Sequence, residues 1–86
     1  MKRILVSIKD SQIEGFFPVI CVEHENQAVR SFVQEINRPG ESNLYLFPED
    51  FDLYKIGTFD DTTGQLENLP SPLLLRRGRD SKRPVS

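Results

Sequence analysis

Between Ile4 and Lys9 apolar and polar positions alternate: Ile4, Val6 and Ile8 share one face, Leu5, Ser7 and Lys9 the other. That is the period of a β-strand with one face for a core. Residues 10–15 are polar and turn-forming, of hairpin length. Residues 16–22 are strongly β-prone, with Phe17, Val19 and Cys21 on one face and Phe16, Ile20 and Val22 opposite. A strand apolar on both faces predicts an inner strand or one covered by a partner. Pro18 cannot donate to a ladder, so a bulge or an edge-facing position is predicted there.

The period then changes. Ala28, Val29, Phe32, Val33 and Ile36 fall at helical spacing and form one stripe, with Arg30, Gln34 and Glu35 facing away. Asn26, or His24 with Gln27 three residues on, supplies the cap of a helix reaching about Asn37. Arg38-Pro39-Gly40 ends it. Leu44 to Phe47 lead into the next element and pin the loop to the core. Pro48-Glu49-Asp50 has the chemistry of one helical or 3₁₀ turn, with Pro at a first helical position and acids at the positive end of the dipole. Leu53, Lys55, Gly57 and Phe59 alternate with Tyr54, Ile56 and Thr58, a second clear strand. Asp60-Asp61-Thr62-Thr63-Gly64 is turn chemistry, and Gln65 to Leu69 resumes alternation, so the pair predicts a β-hairpin.

Beyond Leu69 the pattern stops. Pro70-Ser71-Pro72 predicts an extended linker. Leu73, Leu74 and Leu75 would be a liability if exposed, so they are expected to dock on the domain or on a second copy as an oligomer interface. From Arg76 the composition is that of a disordered arm. The expected organisation is one α+β domain over residues 1–69, followed by a Pro-containing linker and basic C-terminal arm over residues 70–86. Its sheet is antiparallel, built from the N-terminal strand pair and the later hairpin, with one helix packed on it.

Composition sharpens this. Eighty-six residues allow one small domain, and an apolar content of 37% makes its core thin. Chains of this kind often gain stability by oligomerising, so a homodimer or larger is expected. No apolar run approaches the roughly 20 residues needed to span a bilayer, and the N-terminus is too short in apolar residues for a signal peptide. With a single cysteine there is no internal disulfide, and a reducing cytoplasm is the expected setting. The net charge of −2 conceals an asymmetry: residues 1–75 carry six Lys/Arg against twelve Asp/Glu, residues 76–86 five against one.

Catalytic chemistry finds little purchase. His24 and Cys21 are the only soft metal ligands and cannot alone build a usual zinc site. Glu49, Asp50, Asp52, Asp60 and Asp61 lack the calcium-loop spacing and suit a helix start and a turn. The five glycines are isolated, so no phosphate loop is present. No catalytic residue, metal or cofactor is predicted. The acidic body argues against a broad DNA-binding face, whereas Arg76, Arg77, Arg79, Lys82 and Arg83 can neutralise phosphates without regard to sequence. Single-strand binders add aromatic platforms, for which Phe16, Phe17, Tyr45, Tyr54 and Phe59 are candidates, Tyr54 first.

A resemblance bears on this choice. Pro48-Glu49-Asp50-Phe51, an acid, Leu53-Tyr54, then Gly57-x-Phe59-Asp60 and Thr63-Gly64, is similar to a segment shared by small nonstructural proteins of microviruses, most of all the gokushovirus branch. Upstream, Ala28-Val29-Arg30-x-Phe32 extends the likeness, which covers about residues 3 to 69. The resemblance implies a phage protein that binds DNA or acts in single-stranded genome synthesis and packaging, in the host cytoplasm. The expected function is therefore nonenzymatic, nonspecific binding of single-stranded DNA through the basic arm. The alternative is an adaptor that binds a phage replication or capsid-assembly protein.

Overall fold

Alternation in Lys2–Asp10 produces β1, the strand against which the rest of the fold is laid. The computed structural model describes residues 1–83. On one side β1 pairs antiparallel with β2 (Gly15–Phe16) and then β3 (Ile20–Val22); on the other it pairs with β4 (Phe51–Asp60). β4 in turn pairs with β5 (Gln65–Arg77), giving the sheet order β2-β1-β4-β5. β2 and β3 are halves of the single strand expected over residues 16–22, parted where Pro18 cannot join the ladder. The break is tethered: the Phe17 N–H donates to the Ile8 carbonyl (2.8 Å), and Ser7 Oγ donates to the Phe17 carbonyl (2.6 Å).

The helical stripe becomes α1 (Glu25–Asn37), lying across the sheet. Gln27 Oε1 closes its entry by accepting from the backbone N–H groups of Glu23 (2.9 Å) and His24 (3.2 Å). Ala28, Phe32 and Ile36, one helical turn apart, are buried against Val6, Phe51 and Leu53. Ile4, Ile8, Val22, Val29, Leu44 and Leu75 pack around that nucleus half-buried. After α1 a single helical turn, α2 (Asn43–Leu46), forms where only a lead-in is expected; Ser42 Oγ starts it by accepting from the Leu44 N–H at 3.2 Å. A 3₁₀ turn at Pro48–Asp50 delivers the chain into β4, as the Pro-acid-acid signature predicts. One helix on an antiparallel sheet is the α+β architecture that the periodicity implies.

A bulge decides which side chains of β4 face where. Leu5 pairs with Gly57 but Val6 pairs with Lys55, so Ile56 is the extra residue. Across it the faces exchange. Leu53 and Lys55 look toward α1, where the Lys55 ammonium meets Glu25 at 3.0 Å. Gly57 and Phe59 instead join Leu5 and Arg3 on the opposite face, together with Tyr54, whose partner is Ser7.

The C-terminal part differs from expectation. The boundary at residue 69 falls inside β5, which runs on to Arg77. Four residues, Leu69 to Pro72, stand opposite Ile56 alone, so both prolines sit in a wide bulge of an edge strand where no ladder donor is needed. The stretch is a strand and not a linker. Residues 76–83 are likewise structured. Gly78–Asp80 forms a 3₁₀ turn, and Ser81 is buried with its Oγ donating to the Arg77 carbonyl at 2.7 Å. Asn37 at the end of α1 donates to the Ser81 carbonyl (2.9 Å) and accepts from the Arg83 N–H (2.7 Å). Lys82 Nζ donates to the carbonyls of Ile36 (3.2 Å) and Tyr45 (3.1 Å), and lies 3.6 Å from the Tyr45 ring centroid. Helix ends leave carbonyls without intrahelical partners, and this segment supplies donors for them. Residues 76–83 of the expected disordered arm are thus ordered; the remainder of it, 84–86, lies outside the described residues.

The hairpin turn between β4 and β5 closes against the N-terminus. Gly64 takes φ 76°, the left-handed conformation the turn requires. Asp60 is held below its ordinary value, first by accepting from the Thr62 N–H. Asp61 is held lower by its bonds to the N-terminal ammonium (3.0 Å) and to Arg3 Nε (3.0 Å). A depressed native carboxylate stabilises the fold above its unfolded-state value and ceases to do so as pH falls through the native one. Thermal stability is therefore expected to be level above the ordinary value of 3.8 and to drop below it. Asp61→Asn should make that acid limb shallower in melts recorded from neutral to acid pH. An unchanged limb would remove Asp61 from the account.

Candidate nucleic-acid interface

Sheet pairing assembles a surface on the face turned away from α1. Lys9 is the partner of Phe16, Ser7 the partner of Tyr54, and Tyr54 in turn the partner of Leu74. Paired residues share a face, so Lys9, Phe16, Tyr54 and Leu74 lie side by side across four strands of backbone. Phe16 and Tyr54 meet edge to face, with centroids 5.7 Å apart and planes at 73°. Lys9 Nζ stands 5.9 Å from the Phe16 centroid, within range of cation–π attraction. Asp52 and Arg77, also partners, continue the row and form an ion pair at 3.6 Å. Phe16 is 43% exposed, far more than core packing of an aromatic would leave. Underneath, Ser7 is fully buried and bonded, which makes the floor rigid.

Farther along the same face, Arg3, Phe59 and Leu66 are successive partners. Between the two groups the sheet curls. A Cβ on Gly57 would sit 2.2 Å from the Glu67 carbonyl oxygen, so β5 crosses close over this position. Arg3 is drawn to Asp61 (3.0 Å) and Glu23 (3.5 Å), its guanidinium pushed above its ordinary value chiefly by the Asp61 hydrogen bond.

The residues singled out from the sequence are distributed unevenly over this surface. Tyr54 is on it. The cations of the C-terminal segment do not converge: Arg77 is beside Asp52, whereas Arg76 bonds Ser81 Oγ (3.1 Å) and the Asp80 carbonyl (3.2 Å) on the helix side. Arg79 is exposed in the 3₁₀ turn, Lys82 is engaged by carbonyls, and the Arg83 backbone is held by Asn37. The three leucines are separated too. Leu75 packs into the core, Leu73 lies 53% exposed beside Lys55 on the helix side, and Leu74 joins Tyr54. Of the other aromatics, Phe17 packs edge to face on Phe51 at 5.9 Å and Tyr45 lies under Lys82. Lys9 was not predicted. Its signal is the hairpin register: a turn over residues 10–15 brings residue 9 beside residue 16.

Among the described residues no group of three His, Cys, Asp or Glu is placed to hold a metal ion, and no helix is long and apolar enough to cross a membrane. Asp60 and Asp61 spend their oxygens on Thr62, Arg3 and the N-terminus.

A curled antiparallel sheet with one face under a helix and an aromatic row on the other defines a small α+β protein. The chain belongs to the Phage ORF5 protein family, whose model matches residues 3–81. That match extends through β5 and the docked C-terminal turn, which are thus part of the family's unit. No curated protein and no solved structure matches the chain.

Proposed function

We propose that this phage protein is a nonenzymatic, nonstructural protein of the microvirus kind, gokushovirus branch, that binds single-stranded DNA without sequence preference. It would act in the host cytoplasm during genome synthesis or packaging. The observation that carries the reading is the edge-to-face pair of exposed Phe16 and half-buried Tyr54, flanked by Lys9 and Arg77 on the free sheet face. Every base has a π-face, so an aromatic pair on a rigid floor accepts successive bases indifferently, and each stack contributes about 1–3 kcal/mol. Flanking cations add the phosphate term. With Lys9 and Arg77 and at most one more cation engaged, the slope of log K on log salt is expected at about −1.4 to −2.1, shallow for a nucleic-acid binder.

The test is fluorescence anisotropy of labelled oligothymidylate at several salt concentrations. Phe16→Ala and Tyr54→Ala should each weaken binding by about 1–3 kcal/mol while leaving the salt slope nearly unchanged. Lys9→Ala should reduce the slope by about 0.7. Equal binding by Phe16→Ala and Tyr54→Ala would sink the platform. The acidity of residues 1–75 favours the second reading: an adaptor that presents the same face to a phage replication or capsid-assembly protein. Failure of the intact protein to bind DNA at any salt concentration would select it.

A further inference from the structure

Between β2 and β3 the chain changes register against β1. In β2 Phe16 is the partner of Lys9, and one step on the Phe17 N–H donates to the Ile8 carbonyl. In β3 Ile20 is the partner of Val6. Two residues, Pro18 and Val19, therefore stand opposite Ser7 alone, which is a β-bulge. An unbroken strand would put Phe16 on the same face as Ile20 and Val22. The extra residue exchanges the faces. Ile20 and Val22 lie on the α1 side with Val6 and Ile4, whereas Phe16 lies beside Lys9 in the aromatic row.

Without the bulge, the pairing of β3 would continue along β1. Pro18 would then stand opposite Ile8, Phe17 opposite Lys9 and Phe16 opposite Asp10. Phe17 would enter the aromatic row, and Phe16 would take its place on the α1 side near Phe51, which is the β4 partner of Asp10. The two rings are near equivalents. Phe16 is 43% exposed and meets Tyr54 edge to face at 5.7 Å; Phe17 is 37% exposed and meets Phe51 edge to face at 5.9 Å. Ring contacts therefore discriminate little between the two registers, and the choice falls to the backbone.

Two neighbours make that choice. In the observed register the Ile8 carbonyl accepts from the Phe17 N–H at 2.8 Å; opposite Pro18 it would have no donor, because proline carries no N–H. Ser7 is 1% exposed, and its hydroxyl donates to the Phe17 carbonyl at 2.6 Å. A buried hydroxyl needs such a partner, and sliding residues 16–18 by one position breaks the bond. We infer that Pro18 and Ser7 select Phe16 over Phe17 as the aromatic partner of Tyr54, and so decide which ring the binding face presents. The consequence for binding rests on the function proposed above; the choice of register does not.

Cross-strand contacts in NMR spectra read the register without any ligand. The parent protein should show contacts from Phe16 to Lys9 and Tyr54. In Ser7→Ala combined with Pro18→Ala, contacts from Phe17 to Lys9 and Tyr54 should replace them. Pro18→Ala alone, a change at an exposed position, carries the test should the double variant fail to fold. It is expected to show the Phe17 contacts as a second set beside the first. Phe16 contacts alone in every folded variant overturn the inference. Binding is read with labelled oligothymidylate. Phe16→Ala should weaken the parent about tenfold or more and Phe17→Ala under about threefold, with the order reversed in the double-variant background. An unreversed order where the register has exchanged overturns the link from register to binding. A parent protein that binds no DNA removes the function proposed above, while the NMR contacts still decide the register.

Discussion

Gly57→Ala should destabilise the protein by about 3 kcal/mol or more, beyond the usual range for overpacking. Gly57 is paired on both sides, with Leu5 of β1 and Asn68 of β5. A Cβ there would meet the Glu67 carbonyl oxygen at 2.2 Å and the Asn68 Cα at 3.1 Å. Those atoms are backbone, held by the hairpin ladder, and cannot swing aside as the end of a side chain would. Relief requires β5 to lift away from β4, and with it the curl that separates the two halves of the free face. For a domain whose whole stability is about 4–13 kcal/mol by size, such a loss is a large share. Urea unfolding of the variant against the parent measures it. A difference under about 1 kcal/mol would mean that β5 does not approach β4 so closely.

Phe32→Ala should cost about 3–5 kcal/mol, the range for removing a buried aromatic. Phe32 is the middle residue of the buried Ala28–Phe32–Ile36 row and packs in one cluster with Val6, Phe51 and Leu53. Only seven apolar residues are buried in the described chain, so few neighbours can relax into the space it leaves. Phe32→Leu, which keeps most of the volume, should lose far less. If alanine costs under about 1 kcal/mol in the same urea titration, α1 does not seal the sheet through this residue.

Both predictions concern residues that local pattern singles out to different degrees. Phe32 is legible in the sequence because a helical stripe identifies its own centre. Gly57 is not: in sequence it is an isolated glycine in a strand, and the neighbour that forbids a side chain is ten residues away across a turn. The same division runs through the candidate site. Tyr54 is an aromatic on a clear strand, but its meeting with Phe16 depends on two separate strands pairing with β1.

What the sequence by itself determined is the set of elements whose signal lies within a turn or two of chain. These are β1 by alternation, α1 by its stripe with Gln27 at its entry, the 3₁₀ turn by Pro48 and its acids, and the β4–β5 turn by Asp60 to Gly64. Tertiary structure alone decided the rest. Pro70 and Pro72 read locally as a break, yet an edge strand needs donors on one side only and takes both prolines into a bulge. The cations after Leu75 read as a free arm because they have no apolar period. What orders them is polar and distant: Asn37 lies 46 residues from Arg83, and the Ile36 carbonyl 46 residues from Lys82. A helix end offers those groups only after the helix has packed. The one-residue slip at Ile56, which sends Gly57 and Phe59 to the face opposite Lys55, likewise arises from fitting β4 to β1 and leaves no mark on the alternation of β4 itself.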